Sequence, residues 1–257
     1  MAISPLAFVH PDAKIGQNVS IGPFAVIEAK VVLGDGCEVA SHAIIQDYSI
    51  IGQNCKIFAG AAIGGIPQDL KFEGEESFVE IGDNTTIREY VTINRGTKAA
   101  GITKIGSDCL IMAYTHVAHD CQIGDYCIIV NNVQIAGHVE VHDWAVVGGS
   151  SSVHQFVKIG THAMIAGGSL VKKDVPPYIT AAREPLAFKG INTLGLKRRG
   201  FSDEKIESIH VIYRILFQSK LNHSEAILAL EAHQQSLENQ RIIDFLRSST
   251  RGIIKGK

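Results

Sequence analysis

The chain has 257 residues, 46% of them apolar, with a net charge of −2 and a pI of about 6.6. That is ample material for a large buried core, and too little positive charge for an electrostatic footprint on nucleic acid. No apolar run approaches the ~18 residues of a membrane span, and Met1 to Leu6 lacks the charged and apolar segments of a secretory signal, so the expectation is a cytoplasmic chain with five reduced cysteines.

From Val9 onward an aliphatic residue recurs every six positions. The series runs from Val9 and Ile15 to Ile63, resumes at Ile81, Ile87 and Ile93, and continues from Ile105 to Val171. Only Asp69, Glu75 and Ala99 interrupt it, in two stretches near 64–80 and 94–104. An amphipathic helix drifts out of phase with a strict period of six. Short strands that each turn one aliphatic side chain inward keep it.

A second register lies four residues after each aliphatic and holds Cys37, Cys55, Cys109, Cys121 and Cys127. It shares a strand face with the next repeat's aliphatic. The thiols are therefore expected in the core, as small hydrophobes. There is no C-x-x-C pair, which argues against a redox or metal site. Gly16, Gly34, Gly52, Gly106, Gly124 and Gly160 fall in one phase of eighteen. Glycine's tolerance of positive φ makes this phase read as a shared corner, and three strands with three corners make an eighteen-residue coil. Residues 9–171 thus predict a parallel β-helix within a first domain, 1–180. Periodicity leaves its hand open.

The period ends at Val175-Pro-Pro177. Ser202 reads as a helix N-cap, followed by Ile206, Ile209, Tyr213, Leu216 and Phe217 at helical spacing. Ala226 to Gln234 and Arg241 to Arg247 read as two further helices. This C-terminal α-helical domain, 181–257, is expected to cap the open end of the solenoid. The cluster Lys197-Arg198-Arg199 is either a solvated helix end or a contact for phosphate or carboxylate.

Of eleven histidines, His10, His42, His210, His223 and His233 are scattered and read as surface residues. Others share one line of the eighteen-residue net. Gly137 lies one coil above His119 and Gln155 one coil above Gly137, with His138 and His154 one residue to either side. His116 precedes the same corner, and Gly64, where the first break begins, has the phase of Ala118. One edge is thus expected to gather His116, His119, His138, His154 and Gln155, with a long loop rooted below. Loops of that length in a regular fold are usually functional. His116, His119 and His138 also make a conceivable zinc set, and plain polar decoration is the bland alternative.

Several stretches resemble the UDP-N-acetylglucosamine O-acyltransferase family of lipid A biosynthesis, over nearly the whole chain. They are Ile63-Gly-Gly-Ile-Pro-Gln-Asp-Leu-Lys71, Ile87 to Gly96, Thr115-His-Val-Ala-His-Asp120, Ala136-Gly-His138, Val153-His-Gln-Phe156, Gly195-Leu-Lys-Arg-Arg-Gly-Phe201 and Ser249-Thr-Arg-Gly252. The resemblance implies a left-handed β-helix of hexapeptide repeats and a homotrimer with clefts between subunits. It implies transfer of a 3-hydroxyacyl chain from acyl carrier protein to the glucosamine 3-hydroxyl of a UDP-sugar. It further implies His119 as general base, Asp120 as its supporting acid and the Gly137 N–H as oxyanion donor. Gln68, Asp69, Lys71, His116, His138, His154 and Gln155 are implied to contact substrates, Asn192, Arg198 and Arg199 to bind the nucleotide, and Gly167 to limit acyl length. No metal and no cofactor is implied beyond the carrier's phosphopantetheine. Two departures, Leu194 in place of an acidic residue and the stretch Ala182-Arg-Glu-Pro-Leu-Ala187, keep open a 3-amino UDP-sugar as acceptor. Another hexapeptide acyltransferase and a trimeric scaffold without catalysis stay as alternatives.

Overall fold

The computed structural model describes residues 2–219, 221–232 and 236–256. Strands mostly two residues long pair with the third strand on, giving three sheets of eleven, nine and eight strands among the described residues. All pairings are parallel except a final hairpin. Within each strand the second residue faces in: Lys56 is exposed and Ile57 buried. Ile57, Ile87, Ile111, Ile129, Val147 and Ile165 stack in register through the first sheet. The second inward register is as dry, and all five cysteines are buried free thiols.

Neighbouring coils are offset by eighteen residues, as Glu38 pairs Lys56. At the first break Lys56 pairs Thr86, an offset of 30, and at the second Thr92 pairs His116, an offset of 24. Both insertions are whole repeats, which is why the phase of six survives them. The loops they form run between Ala62–Gly65 and Phe78–Ile81, and between Thr92–Asn94 and Ile102–Ile105.

The glycine corner exists, but for a different reason than expected. None of its six glycines has positive φ. What excludes a side chain is the next coil: a Cβ at Gly124 would lie 2.2 Å from Asp143 Oδ1, and one at Gly34 would lie 2.6 Å from the Gly52 carbonyl carbon. Those aspartates form a ladder. Oδ1 of Asp35, Asp83, Asp125 and Asp143 accepts the backbone N–H of Gln17, Gln53, Ser107 and Asp125 in the coil below. The positive φ falls elsewhere, three residues after each aliphatic, on Asn18, Asn54, Asp108 and Asn132 and on aromatic residues such as Tyr126 and Trp144. Stacking helps offset that backbone cost: the Tyr126 and Trp144 rings lie 4.0 Å apart.

The first sheet continues past residue 180. Ile179–Ala182 pairs parallel with Met164–Ile165, then turns back on Ala187–Ile191. Helices α1 (Thr193–Arg198), α2 (Asp203–Gln218), α3 (His223–Glu231) and α4 (Leu237–Ser248) follow. Ser202 caps α2, which buries Ile206, Ile209, Tyr213 and Leu216. The α3 helix starts earlier than its apolar spacing suggests, because Asn222 and Glu225 form a capping box. Ser236 likewise starts α4 before Arg241. Gln234 and His233, the side chain of His223 included, lie outside the described residues, while His10, His42 and His210 are half-buried or exposed.

Candidate active site

His116 and His119 flank the inward Val117 on the strand His116–Val117 and the corner after it. Both side chains therefore leave the core. Asp120 follows at a corner position with φ 60°, shared in phase with His138 and Phe156. Its side chain is fully buried. His119 Nδ1 lies 2.8 Å from Asp120 Oδ2. Thr97 donates its backbone N–H to Oδ1 at 2.9 Å and its hydroxyl to Oδ2 at 2.7 Å. The Asp120 N–H is in turn held by the Thr103 hydroxyl at 2.8 Å. Burial alone would raise the Asp120 carboxyl. The hydrogen bonds from His119 and Thr97, with His138 nearby, outweigh burial and hold it below its usual range. An ionised carboxylate only accepts, so His119 Nδ1 is the donor of this hydrogen bond.

Gly137 sits one coil above His119, in the register that pairs His116 with Gln134. The imidazole lies against its Cα: a Cβ there would approach His119 Cε1 to 2.7 Å and Nε2 to 2.8 Å. Gly137 is buried, and its carbonyl accepts from Phe156. Among the described residues its N–H donates to nothing. An N–H without a partner beside an imidazole can donate to an anion. His138 crosses His119 edge to face at 5.2 Å, stacks on Phe156 at 4.6 Å and places Nε2 3.7 Å from Asp120 Oδ2. His116 Nδ1 meets the Thr92 hydroxyl at 2.7 Å. Burial, then the neighbouring His119, pushes its imidazole below the usual histidine range, so it is neutral at pH 7.

A cleft of about 360 Å³ runs along this edge, lined by Gln68, Asn94, His116, His119, Gly137 and Ser152 among others. The first loop does emerge beside His119, as the net predicts, and sends Gln68 into the cleft. Asp69 and Lys71 lie further out, tied by a local turn in which Asp69 Oδ1 accepts the Lys71 N–H at 3.0 Å. His154 and Gln155 are exposed one coil above, with His154 Nδ1 3.2 Å from the Gln155 carbonyl.

The remaining candidates belong to the other two corners. Asn192 caps α1 through Gly195 and donates to the His162 carbonyl at 3.0 Å. Arg199 Nη1 lies 3.3 Å from His162 Nδ1, and its guanidinium sits over Trp144. Burial, with Arg199 and Arg241, takes the His162 imidazole down to about 4, so it is an acceptor at neutral pH. Arg198 is exposed. Gly167 is exposed at the third corner, in phase with Asn131 and Gly149. None of Gly167, Asn192, Arg198 and Arg199 lines the His119 cleft. Sequence reasoning missed Thr97 and Asn94, which sit at the second break, and His162. The one available signal was the break itself, which opens one coil below His119.

A metal set of His116, His119 and His138 is not what assembles. Among the described residues the group of ligand atoms within 4.8 Å of one another is His119, Asp120 and His138. Asp120 there already accepts three hydrogen bonds, two from Thr97 and one from His119.

A β-helix of hexapeptide repeats whose edge carries a His–Asp pair, an oriented imidazole and a free N–H defines a hexapeptide-repeat acyltransferase. The hexapeptide signature of bacterial transferases matches residues 102–137, a GMPPB C-terminal domain signature matches 1–98, and domain 2 of UDP N-acetylglucosamine O-acyltransferase matches 174–254. An acyl-[acyl-carrier-protein]–UDP-N-acetylglucosamine O-acyltransferase of Sulfurihydrogenibium is 57% identical, over 98% of this chain and 93% of its own. That of Myxococcus xanthus is 48% identical over 98% and 99%. The crystal structure of the UDP-N-acetylglucosamine acyltransferase of Bacteroides fragilis superposes with a TM-score of 0.97 at 52% identity, covering 98% of this chain and 99% of that one. The chain belongs to the UDP-N-acetylglucosamine O-acyltransferase family, and its solenoid is the left-handed parallel β-helix of that family.

Proposed function

We propose that this chain transfers a (3R)-hydroxyacyl group from acyl carrier protein to the glucosamine 3-hydroxyl of UDP-N-acetylglucosamine, the first step of lipid A biosynthesis. The observation that carries the reading is His119, held by Asp120 at 2.8 Å and packed against the Cα of Gly137, whose N–H has no partner among the described residues. His119 Nε2 takes the proton of the sugar hydroxyl as its oxygen attacks the thioester carbon. The carbonyl oxygen gains charge and is stabilised by the Gly137 N–H. The C–S bond then breaks, and the imidazolium returns its proton to the departing phosphopantetheine thiolate. Asp120 stays ionised throughout and steadies the imidazolium. The chemistry calls on no cofactor of the protein's own.

The same reading makes the protein a homotrimer. A cleft of about 360 Å³ is at the small end for ligand sites and suits a sugar ring and a thioester. It leaves the nucleotide and acyl chain to lie against a second subunit. Threefold packing of corners would give Gly167, Asn192, Arg198 and Arg199 a role there, with Gln68, Asp69, Lys71, His116, His138, His154 and Gln155 contacting substrate from the cleft side. Five buried thiols suit a reducing, cytoplasmic location.

Purified protein, a 3-hydroxyacyl carrier protein and either UDP-N-acetylglucosamine or its 3-amino analogue, analysed by mass spectrometry, test the reading. An ester product on the first sugar is expected. An amide on the second alone, or no product, would replace it with the 3-amino reading or the scaffold reading.

A further inference from the structure

The cleft beside His119 contains a buried acceptor with nothing to accept from. Asn94 ends the strand Thr92–Asn94, one coil below the His116–Val117 strand, and lines the same cleft as His119 and Gly137. It is 7% exposed. Its Nδ2 donates to the Ile66 carbonyl at 3.0 Å, which fixes the orientation of the amide. That leaves Oδ1 buried and without a partner among the described residues. Buried polar atoms are paired as a rule, and an orphan costs about as much as a lost hydrogen bond. Rooting the 66–77 loop on Asn94 explains Nδ2 and leaves Oδ1 unexplained.

We infer that Asn94 Oδ1 accepts a hydrogen bond from the acceptor sugar, from an N–H or O–H on a carbon adjoining the acylated hydroxyl. The inference rests on the proposed reaction and adds a substrate contact to it. Its geometry follows from the coils. Gly137, the oxyanion donor, lies one coil above His119, so the thioester occupies that side. Asn94 lies one coil below, which leaves it facing the sugar. When the 3-hydroxyl meets His119 Nε2, the flanking groups of the ring are the acetamido N–H on carbon 2 and the hydroxyl on carbon 4. Both donate, and an amide oxygen, being neutral and acceptor-only, complements either without competing for the transferred proton.

The test pairs protein variants with sugar analogues, using the full chain. Wild type and Asn94→Ala are assayed with UDP-N-acetylglucosamine, with the analogue whose 2-acetamido N–H is replaced by oxygen, and with the 4-deoxy analogue. We expect wild type to lose about tenfold in kcat/KM on one analogue. Asn94→Ala should lose about tenfold on the natural sugar and nothing more on that same analogue. The analogue that shows this non-additivity identifies the donating group. Losses that multiply on both analogues would overturn the inference, because a loop root lowers all rates alike. Asn94→Asp keeps an acceptor while losing the donor to Ile66. It should still discriminate the natural sugar from the analogue, and serves as a second variant if Asn94→Ala does not fold. No turnover by wild type is a separate result that removes the reaction itself, and this contact with it.

Discussion

His119 is one of eleven histidines, and its surroundings single it out. Its Nδ1 faces a buried carboxylate that the Thr97 N–H and hydroxyl hold in place, while the Thr103 hydroxyl accepts the Asp120 backbone N–H. Replacing His119 by Ala removes the base and leaves the solenoid core untouched, so turnover should fall by ~10²- to 10⁴-fold with an unchanged circular dichroism spectrum. Activity within a few-fold of wild type would take the role from His119. Full activity after exhaustive chelation, with elemental analysis confirming metal removal, would dispose of a catalytic ion on His119, Asp120 and His138. Asp120 gives a pH signature. Its carboxyl is held below the ordinary value of 3.8, so the folded chain binds fewer protons there than the unfolded chain. It therefore stabilises the fold above that value and loses the contribution as pH falls through its lowered one. Asp120→Asn places an amide donor against the Thr97 N–H and His119. The variant should melt below wild type at pH 7, and the gap should close as the pH is taken below 3.8. A gap that is constant with pH would show that the charge on Asp120 does nothing for the fold. His119, His138 and Gly137 were legible because each belongs to the eighteen-residue net. Thr97 and Asn94 were not, because they belong to an insertion, and the net assigns no neighbours to a residue outside it.

At the scale of the coil, the period of six reveals which residues point inward, and outside the two breaks the core follows it from Ile21 to Val171, with Val9 and Ile15 only partly buried. It does not reveal why a corner needs glycine. The glycine phase suggests positive φ, yet positive φ falls on Asn, Asp and aromatic residues three positions after each aliphatic. The glycines are there because the neighbouring coil lies against them, through an aspartate at Gly16, Gly52, Gly106 and Gly124, the Gly52 backbone at Gly34 and Pro177 at Gly160, and spacing along one coil carries no information about the next. This has a measurable consequence. In Gly124→Ala the new methyl would sit 2.2 Å from Asp143 Oδ1 and 2.8 Å from its backbone N. Overpacking of this kind costs about 1–3 kcal/mol. Asp143→Ala removes the carboxylate and its hydrogen bond to the Asp125 N–H. The double variant should therefore be more stable than the sum of the two losses, by denaturant unfolding. A sum that is strictly additive would mean that the ladder does not dictate the glycine. The helical tail illustrates the other limit. Apolar spacing finds α2 because it repeats along a helix of 16 residues, whereas the starts of α3 and α4 are set by Asn222 and Ser236, single capping residues outside the apolar pattern.

For the whole molecule the outstanding feature is separation: the His119 edge, the Asn192–Arg199 corner and the Gly167 corner are three different corners of one triangular prism. The proposed site joins all three through neighbouring subunits, so light scattering should give the mass of a trimer, and a monomer would remove Gly167 and the arginines from the site. Arg198 and Gly167 then report on opposite ends of it. Arg198 is exposed beside Lys197, whose Nζ already pairs with Asp203 at 2.7 Å. Arg198→Ala should leave the melting temperature alone and raise the KM for the UDP-sugar, since guanidinium pairs with phosphate through parallel hydrogen bonds. The reverse pattern would make it a helix-end residue. Gly167 bears on the acyl chain. Its φ is not left-handed, unlike that of Gly168 at +69°, and a Cβ on it would come no nearer than 3.1 Å to the Gly149 carbonyl oxygen. A side chain at 167 therefore needs the Gly149 carbonyl to give by a few tenths of an ångström, and Gly167 is exposed. The turn does not need glycine for its φ, and so the small size of Gly167 is free to serve a partner's acyl groove. A groove left open there by about four methylenes, each worth ~0.8 kcal/mol, favours the longer donor by ~10² in kcat/KM. Wild type should prefer long 3-hydroxyacyl donors, and Gly167→Met should move the preference to shorter ones while the trimer stays intact. Equal losses at every donor length, or a wild-type preference for short chains, would show that the groove does not end at this corner.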